Sequence, residues 1–172
     1  MIEALPGRLA IGHNRYATTG ETILRNVQPL FAEFDFGGFA LGHNGNLTNT
    51  EELAEGLGML PGVLTSDSEL IGELLAGAYG SSLRSDGRDL EHALERILPQ
   101  LEGAFSLVLM DEAHLFGVRD RHGIRPLVLG KHEGGWVLAS ETAALDLVGA
   151  HYVRDVEPGD MVAIDANGVR SV

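Results

Sequence analysis

Leu127-Val-Leu-Gly-Lys-His-Glu-Gly-Gly-Trp-Val-Leu-Ala139 sets two short apolar runs, at 127–129 and 136–139, on either side of the turn signal Glu133-Gly-Gly135. Runs of this length, rich in Val and Leu and bounded by turn residues, read as buried strands. A connection this short favours antiparallel pairing over a crossover. The same pattern recurs at 9–11, within a strand-like segment at 8–13, and at 30–32, 39–41, 105–110, 115–118 and 161–164, with further short turns at Asp35-Phe-Gly-Gly38 and Asn167-Gly168.

Helical signals are fewer. Thr48-Asn-Thr-Glu51 and Ser66-Asp-Ser-Glu69 both fit the capping box, in which a hydroxyl and a carboxylate three residues later satisfy free amides at a helix start. Ala93, Leu94, Ile97, Leu98 and Leu101 follow Leu90 at helical spacing, with Pro99 marking or bending the end. A short helix is expected at 141–148, and the polar stretch 81–89 reads as a surface loop. Strands, then two or three helices, then strands again predict an α+β domain with antiparallel sheets covered by helices.

The 172 residues suffice for one core, which at this size removes roughly 70% of the unfolded surface from water. A hydrophobic fraction of 44% against 22% charged argues for a folded chain. Net charge is -13, so the averaged field repels nucleic acid and anionic membranes. With no cysteine there is no disulfide, thiolate metal site or cysteine-ligated cluster within these residues. Neither a signal peptide nor an apolar run of membrane-spanning length is present, and a cytoplasmic location is expected.

Two polar motifs carry the chemistry. In His13-Asn-Arg-Tyr-Ala-Thr-Thr-Gly20 the Arg15 guanidinium can fork onto a carboxylate, with the hydroxyls of Thr18 and Thr19 nearby. On spacing alone, a surface arginine in a turn is the stronger reading. In His43-Asn-Gly-Asn46, which follows a strand, Asn44 offers a side-chain amide and Gly45 lets a backbone amide approach a ligand. Two such donors aimed at one point form an oxyanion hole, although an isolated Asn-Gly is more often a tight turn. Asp67, in the first turn of a capped helix, could accept bonds from an ammonium or simply complement the helix dipole. His13 and His43 lack an indicated third ligand, which favours core or supporting histidines over a metal pair. Arg119-Asp-Arg-His-Gly-Ile-Arg-Pro-Leu127 reads either as a phosphate clamp or as a salt-bridged turn around Asp120.

Taken together and in order, these motifs resemble the N-terminal-nucleophile (class II) glutamine amidotransferases, and most closely the glutaminase domain of the amidophosphoribosyltransferase family. Thr65-Ser-Asp-Ser-Glu69, Ala139-Ser-Glu-Thr-Ala-Ala-Leu-Asp146 and Val153-Arg-Asp-Val-Glu-Pro-Gly159 carry the likeness with them, over nearly the whole chain. The resemblance implies a four-layer Ntn-hydrolase-like sandwich, two stacked antiparallel sheets between helices. It places Arg15, with Thr18, on the glutamine α-carboxylate, Asp67 on the α-ammonium, and Asn44 with the Gly45 amide at the oxyanion. The family hydrolyses glutamine with an N-terminal cysteine and delivers ammonia to phosphoribosyl pyrophosphate on a phosphoribosyltransferase domain, in the first step of purine synthesis. It further implies magnesium with that substrate, an iron-sulfur cluster in some members, and a homo-oligomer.

Met1-Ile2 supplies no such nucleophile, so the resemblance leads us to expect residues 1–172 to be a partial glutaminase domain, lacking its opening strands and its transferase domain and inactive alone. The rival expectations are a glutamine-binding or regulatory module without catalysis, and a fragment without function.

Overall fold

The computed structural model describes residues 7–14, 27–34, 37–60, 62–80 and 89–172. Among these residues nine strands form two sheets, each wholly antiparallel. The larger runs β1-β2-β3-β4-β8-β9, from β1 (Leu30–Phe34), β2 (Gly37–Leu47), β3 (Gly103–Met110), β4 (Leu115–Arg119), β8 (Met161–Asp165) and β9 (Gly168–Ser171). The smaller runs β6-β5-β7, from β5 (Val128–His132), β6 (Gly135–Ala139) and β7 (His151–Asp155). Four helices complete the domain: α1 (Thr50–Gly56), α2 (Asp67–Gly80), α3 (Asp89–Ile97) and α4 (Thr142–Leu147).

Two-residue connections produce the expected hairpins. His132 pairs with Gly135 across Glu133 (φ 23°) and Gly134 (φ 95°), positive angles that keep a two-residue turn in step with the strand twist. Asp165 pairs with Gly168, and its carboxylate closes the turn by accepting the Asn167 N–H at 2.6 Å.

Three apolar clusters define four layers. Phe39, Leu41, Leu107 and Phe116 of the large sheet meet Leu70, Ile71, Leu90 and Leu94 of the helices in the first cluster. In the second, Leu115, Val162 and Ile164 on the sheet's opposite face pack against Leu127 and Leu129 of the small-sheet side. Val128 and Leu145 meet in the third, which seats α4 on the outer face of the small sheet. The order is therefore helices, six strands, three strands, helix. Alternation of side chains along each strand lets both sheets serve two interfaces at once.

The helix starts differ from expectation in detail. The helix after Thr48 begins one residue later, with Asn49 at its cap position and no side-chain cap bond. Asn49 instead reaches across the fold, donating to Gln100 O at 2.9 Å and accepting from Glu102 N–H at 3.1 Å. At α2 the Ser66 hydroxyl accepts the Glu69 N–H at 3.2 Å, as a capping box requires, but Glu69 returns to the N–H of Thr65 rather than of Ser66. α3 buries Leu90, Ala93, Leu94 and Ile97, and a 3₁₀ turn containing Pro99 ends it.

The segment at 8–13 forms no ladder among the described residues. Its period-two pattern is real, because Leu9 and Ile11 turn inward against the inter-sheet cluster, yet no neighbouring strand pairs with it there. Conversely β7 carried no apolar run: Tyr152 and Val153 are 53% and 46% exposed, as suits the edge of a small sheet. Of the polar stretch read as a loop, residues 81–88 lie outside the described residues.

Candidate active site

The His43-Asn-Gly-Asn46 motif lies inside β2 rather than after it or in a turn, and β3 pairs along its full length, from His43↔Leu107 to Asn46↔Ala104. On its other edge β2 is covered by β1 only as far as Leu41. Beyond that point side chains take over. Gln28 Oε1 accepts the His43 N–H at 2.6 Å and Asp67 Oδ2 accepts the Leu47 N–H at 2.7 Å. Backbone donors alternate edges along a strand, so the Gly45 N–H points to this same edge, between two amides that are already engaged.

Gly45 has φ 137°, and a Cβ there would lie 2.0 Å from the Ala104 carbonyl oxygen and 2.7 Å from Phe105 Cα. The close approach that demands glycine is thus the approach of β3, whereas the sequence suggested approach of a ligand.

A cavity of about 710 Å³ opens beside this edge. Asn44, Gly45, Asp67, Arg125, Ser140 and Glu141 are among the residues that line it. Asp67 stands at the first position of α2 and its tether to Leu47 fixes the helix start against the strand. Arg15, Thr18 and Thr19 lie outside the described residues, but His13 and Asn14, directly before Arg15 in the chain, line the cavity.

His43 is 5% exposed, with Nδ1 3.4 Å from the Ser68 hydroxyl and Nε2 without a hydrogen-bond partner. Burial lowers its pKa to about 4; Asp67 pulls in the opposite direction, while His13 and Arg125 reinforce the lowering. The imidazole is therefore neutral at physiological pH and acts as a supporting side chain under the cavity.

The arginine-rich turn is neither a phosphate clamp nor a salt-bridged loop. Asp120, 1% exposed, accepts four backbone N–H groups, from Phe105, His122, Ile124 and Arg125. Burial alone raises its pKa, and these four donors outweigh that, holding the carboxyl below its usual range. Arg119 spends its guanidinium on the carbonyls of Arg125, Val156 and Gly123. Arg121 sits outside, 3.6 Å from Glu102, and Arg125 alone of the three lines the cavity.

The sequence reading did not single out Gln28, Ser68 or Arg125 for the site. A glutamine before Pro29 carries no recognisable signal, and Ser68 was visible only as part of a capping box. Arg125 stood in a motif whose structural reading sufficed.

Such a cavity, lined by carboxylates, a guanidinium and the amide of Asn44, suits a small polar ligand with charged ends. No thiol exists among the 172 residues, so neither an acyl-thioester nor a cysteine-held iron-sulfur cluster can be built from them. No group of three or more His, Asp or Glu side chains gathers among the described residues. No described helix is long and apolar enough to cross a membrane.

Fold and site together define a glutamine amidotransferase: residues 13–147 match the glutamine amidotransferase domain model, and the chain belongs to that family. It is 51% identical to the amidophosphoribosyltransferase of Mycobacterium leprae over 179 aligned residues, covering 99% of this chain and 31% of that protein. Among solved structures, the B. subtilis glutamine phosphoribosylpyrophosphate amidotransferase, complexed with ADP and GMP, superposes with a TM-score of 0.78 at 37% identity, over 93% of this chain and 33% of that one. A structure described as the allosteric regulatory enzyme of purine biosynthesis gives a TM-score of 0.80 at 37% identity, over 93% and 34%. The four layers are thus the Ntn-hydrolase arrangement of these relatives, and the chain spans about a third of the length of the curated relatives it matches.

Proposed function

We propose that this chain is the glutamine-holding and oxyanion-stabilising part of the glutaminase unit of an amidophosphoribosyltransferase. Glutamine is held with its α-ammonium on Asp67 and its α-carboxylate on Arg15, with Thr18 beside it. Asn44 and the Gly45 N–H polarise the side-chain carbonyl as a tetrahedral oxyanion develops. The observation that carries this reading is that Asn44, Gly45 and Asp67, brought from a strand and a helix, line one cavity at an open strand edge where the neighbouring amides are already bonded.

A thiol nucleophile has to come from outside these 172 residues, because none lies within them. In the complete reaction the released ammonia passes to phosphoribosyl pyrophosphate, with its magnesium, on a phosphoribosyltransferase domain, in the first step of purine synthesis. The setting is a cytoplasmic homo-oligomer. The named relatives support this reading, one a phosphoribosylpyrophosphate amidotransferase and one an enzyme of purine biosynthesis.

The test is a glutaminase assay of the chain alone and joined to a Cys-bearing N-terminal segment. Ammonia release is expected only from the joined form. Release by the cysteine-free chain would overturn the mechanism.

A further inference from the structure

The turn between β4 and β5 holds the backbone of Arg125 at both ends. Its N–H is taken by Asp120 at 3.2 Å and its carbonyl by the Arg119 guanidinium at 2.9 Å. Gly123, at φ 64°, makes the reversal that allows this. The Arg125 side chain has been given no such partner. Its Nε is buried without an acceptor, and the guanidinium makes no hydrogen bond or ion pair among the described residues.

A buried donor without an acceptor is destabilising, and a folded protein rarely tolerates one where a ligand does not complete it. The expense falls here on a cavity wall. Among the described residues lining that cavity, Arg125 is the sole Lys or Arg, while Asp67 and Glu141 supply carboxylates. Both charges act on His43 between them, Asp67 raising its proton affinity and Arg125 lowering it. A free α-amino acid brings one ammonium and one carboxylate, so a lining that holds both a carboxylate and an unspent guanidinium matches its two ends.

We propose that Arg125 is a second guanidinium of the glutamine site, binding the α-carboxylate. A carboxylate offers about four lone-pair positions, enough for two planar forks. The inference rests on the cavity holding glutamine, as proposed above. It adds a specificity-determining residue that the motif's structural role had concealed. Asp120 and Arg119 hold the backbone of Arg125, so its side chain leaves from a turn that is fixed at both ends.

Calorimetric titration of the 172-residue chain with L-glutamine and with L-glutamine α-amide, whose carboxylate is a neutral carboxamide, tests this. The wild-type chain is expected to bind glutamine at least about tenfold more tightly than the α-amide. Arg125→Gln should weaken glutamine by about tenfold and leave α-amide affinity within about twofold, with the melting temperature checked alongside. Arg125→Lys, which keeps the charge and loses the fork, should fall between them, and it carries the test if Arg125→Gln does not fold. Equal weakening of both ligands, or no weakening, overturns the role of Arg125 while leaving the glutamine site standing. Failure of the wild-type chain to bind glutamine overturns both.

Discussion

Acidification should unload stability through one residue, His43. The folded protein keeps this imidazole neutral down to about pH 4, whereas an unfolded chain protonates it near 6.5. The unfolded state therefore binds the extra proton throughout the interval, so stability is complete above pH 6.5 and declines as pH falls toward 4. At about 1.4 kcal/mol per pH unit the ceiling is about 3 kcal/mol, of which about 1 is lost at pH 6 and about 2 at pH 5. Urea unfolding followed by the fluorescence of Trp136, the single tryptophan, at pH 7.5, 6 and 5 measures it. Other groups titrate over the same range, so the wild type is compared with His43→Gln. Between pH 7.5 and 5 the wild type should lose about 2 kcal/mol more than the variant. Parallel losses would show that burial does not depress this histidine, and the account of the cavity floor would fail with it.

Other perturbations separate fold from site. Gly45→Ala forces a Cβ to within 2.0 Å of the Ala104 oxygen, and a loss of about 3 kcal/mol or more is expected in the same urea assay; a loss under about 1 kcal/mol would mean that β3 can withdraw. Arg170, in β9, forms a two-bond ion pair with Glu91 of α3, whose side chain is 3% exposed. Arg170→Ala takes the guanidinium away from that buried carboxylate, at an expected cost of about 3 kcal/mol, and Arg170→Met with Glu91→Leu should recover most of it. Asp67→Asn retains an oxygen for the Leu47 N–H but removes the charge, so glutamine binding measured by calorimetry should vanish while stability changes by less than about 1 kcal/mol. Retained binding would exclude Asp67 as the ammonium partner.

The sheets were legible because their connections are so short: Glu133-Gly-Gly135 and Asn167-Gly168 leave little choice but a hairpin. Helix α3 was legible from the apolar stripe that it buries. β7 was not, since an edge strand with Tyr152 and Val153 facing outward has neither a buried run nor strict alternation. The two expected capping boxes show a subtler limit. Their residues do make polar contacts, but Asn49 serves the chain near Gln100 and Glu69 serves Thr65, and which amide a short side chain chooses depends on neighbours that are distant in sequence. Within the site, Asn44, Gly45 and Asp67 were found as motifs, while their meeting at one strand edge required the fold. Gly45 was singled out for a reason that proved incomplete, because the backbone of β3 already forbids any side chain there. Arg125 was not singled out because Asp120 and Arg119, which hold its backbone, already explain the motif around it.

On the proposed reading, the tether from Asp67 to the Leu47 amide gives one carboxylate two employers, architecture through one oxygen and chemistry through the other. Drift at this position is thereby policed twice. A lineage that no longer needed glutamine would still have reason to keep an acceptor there, so a surviving aspartate is poor testimony to activity, and an asparagine in its place would be the informative fossil.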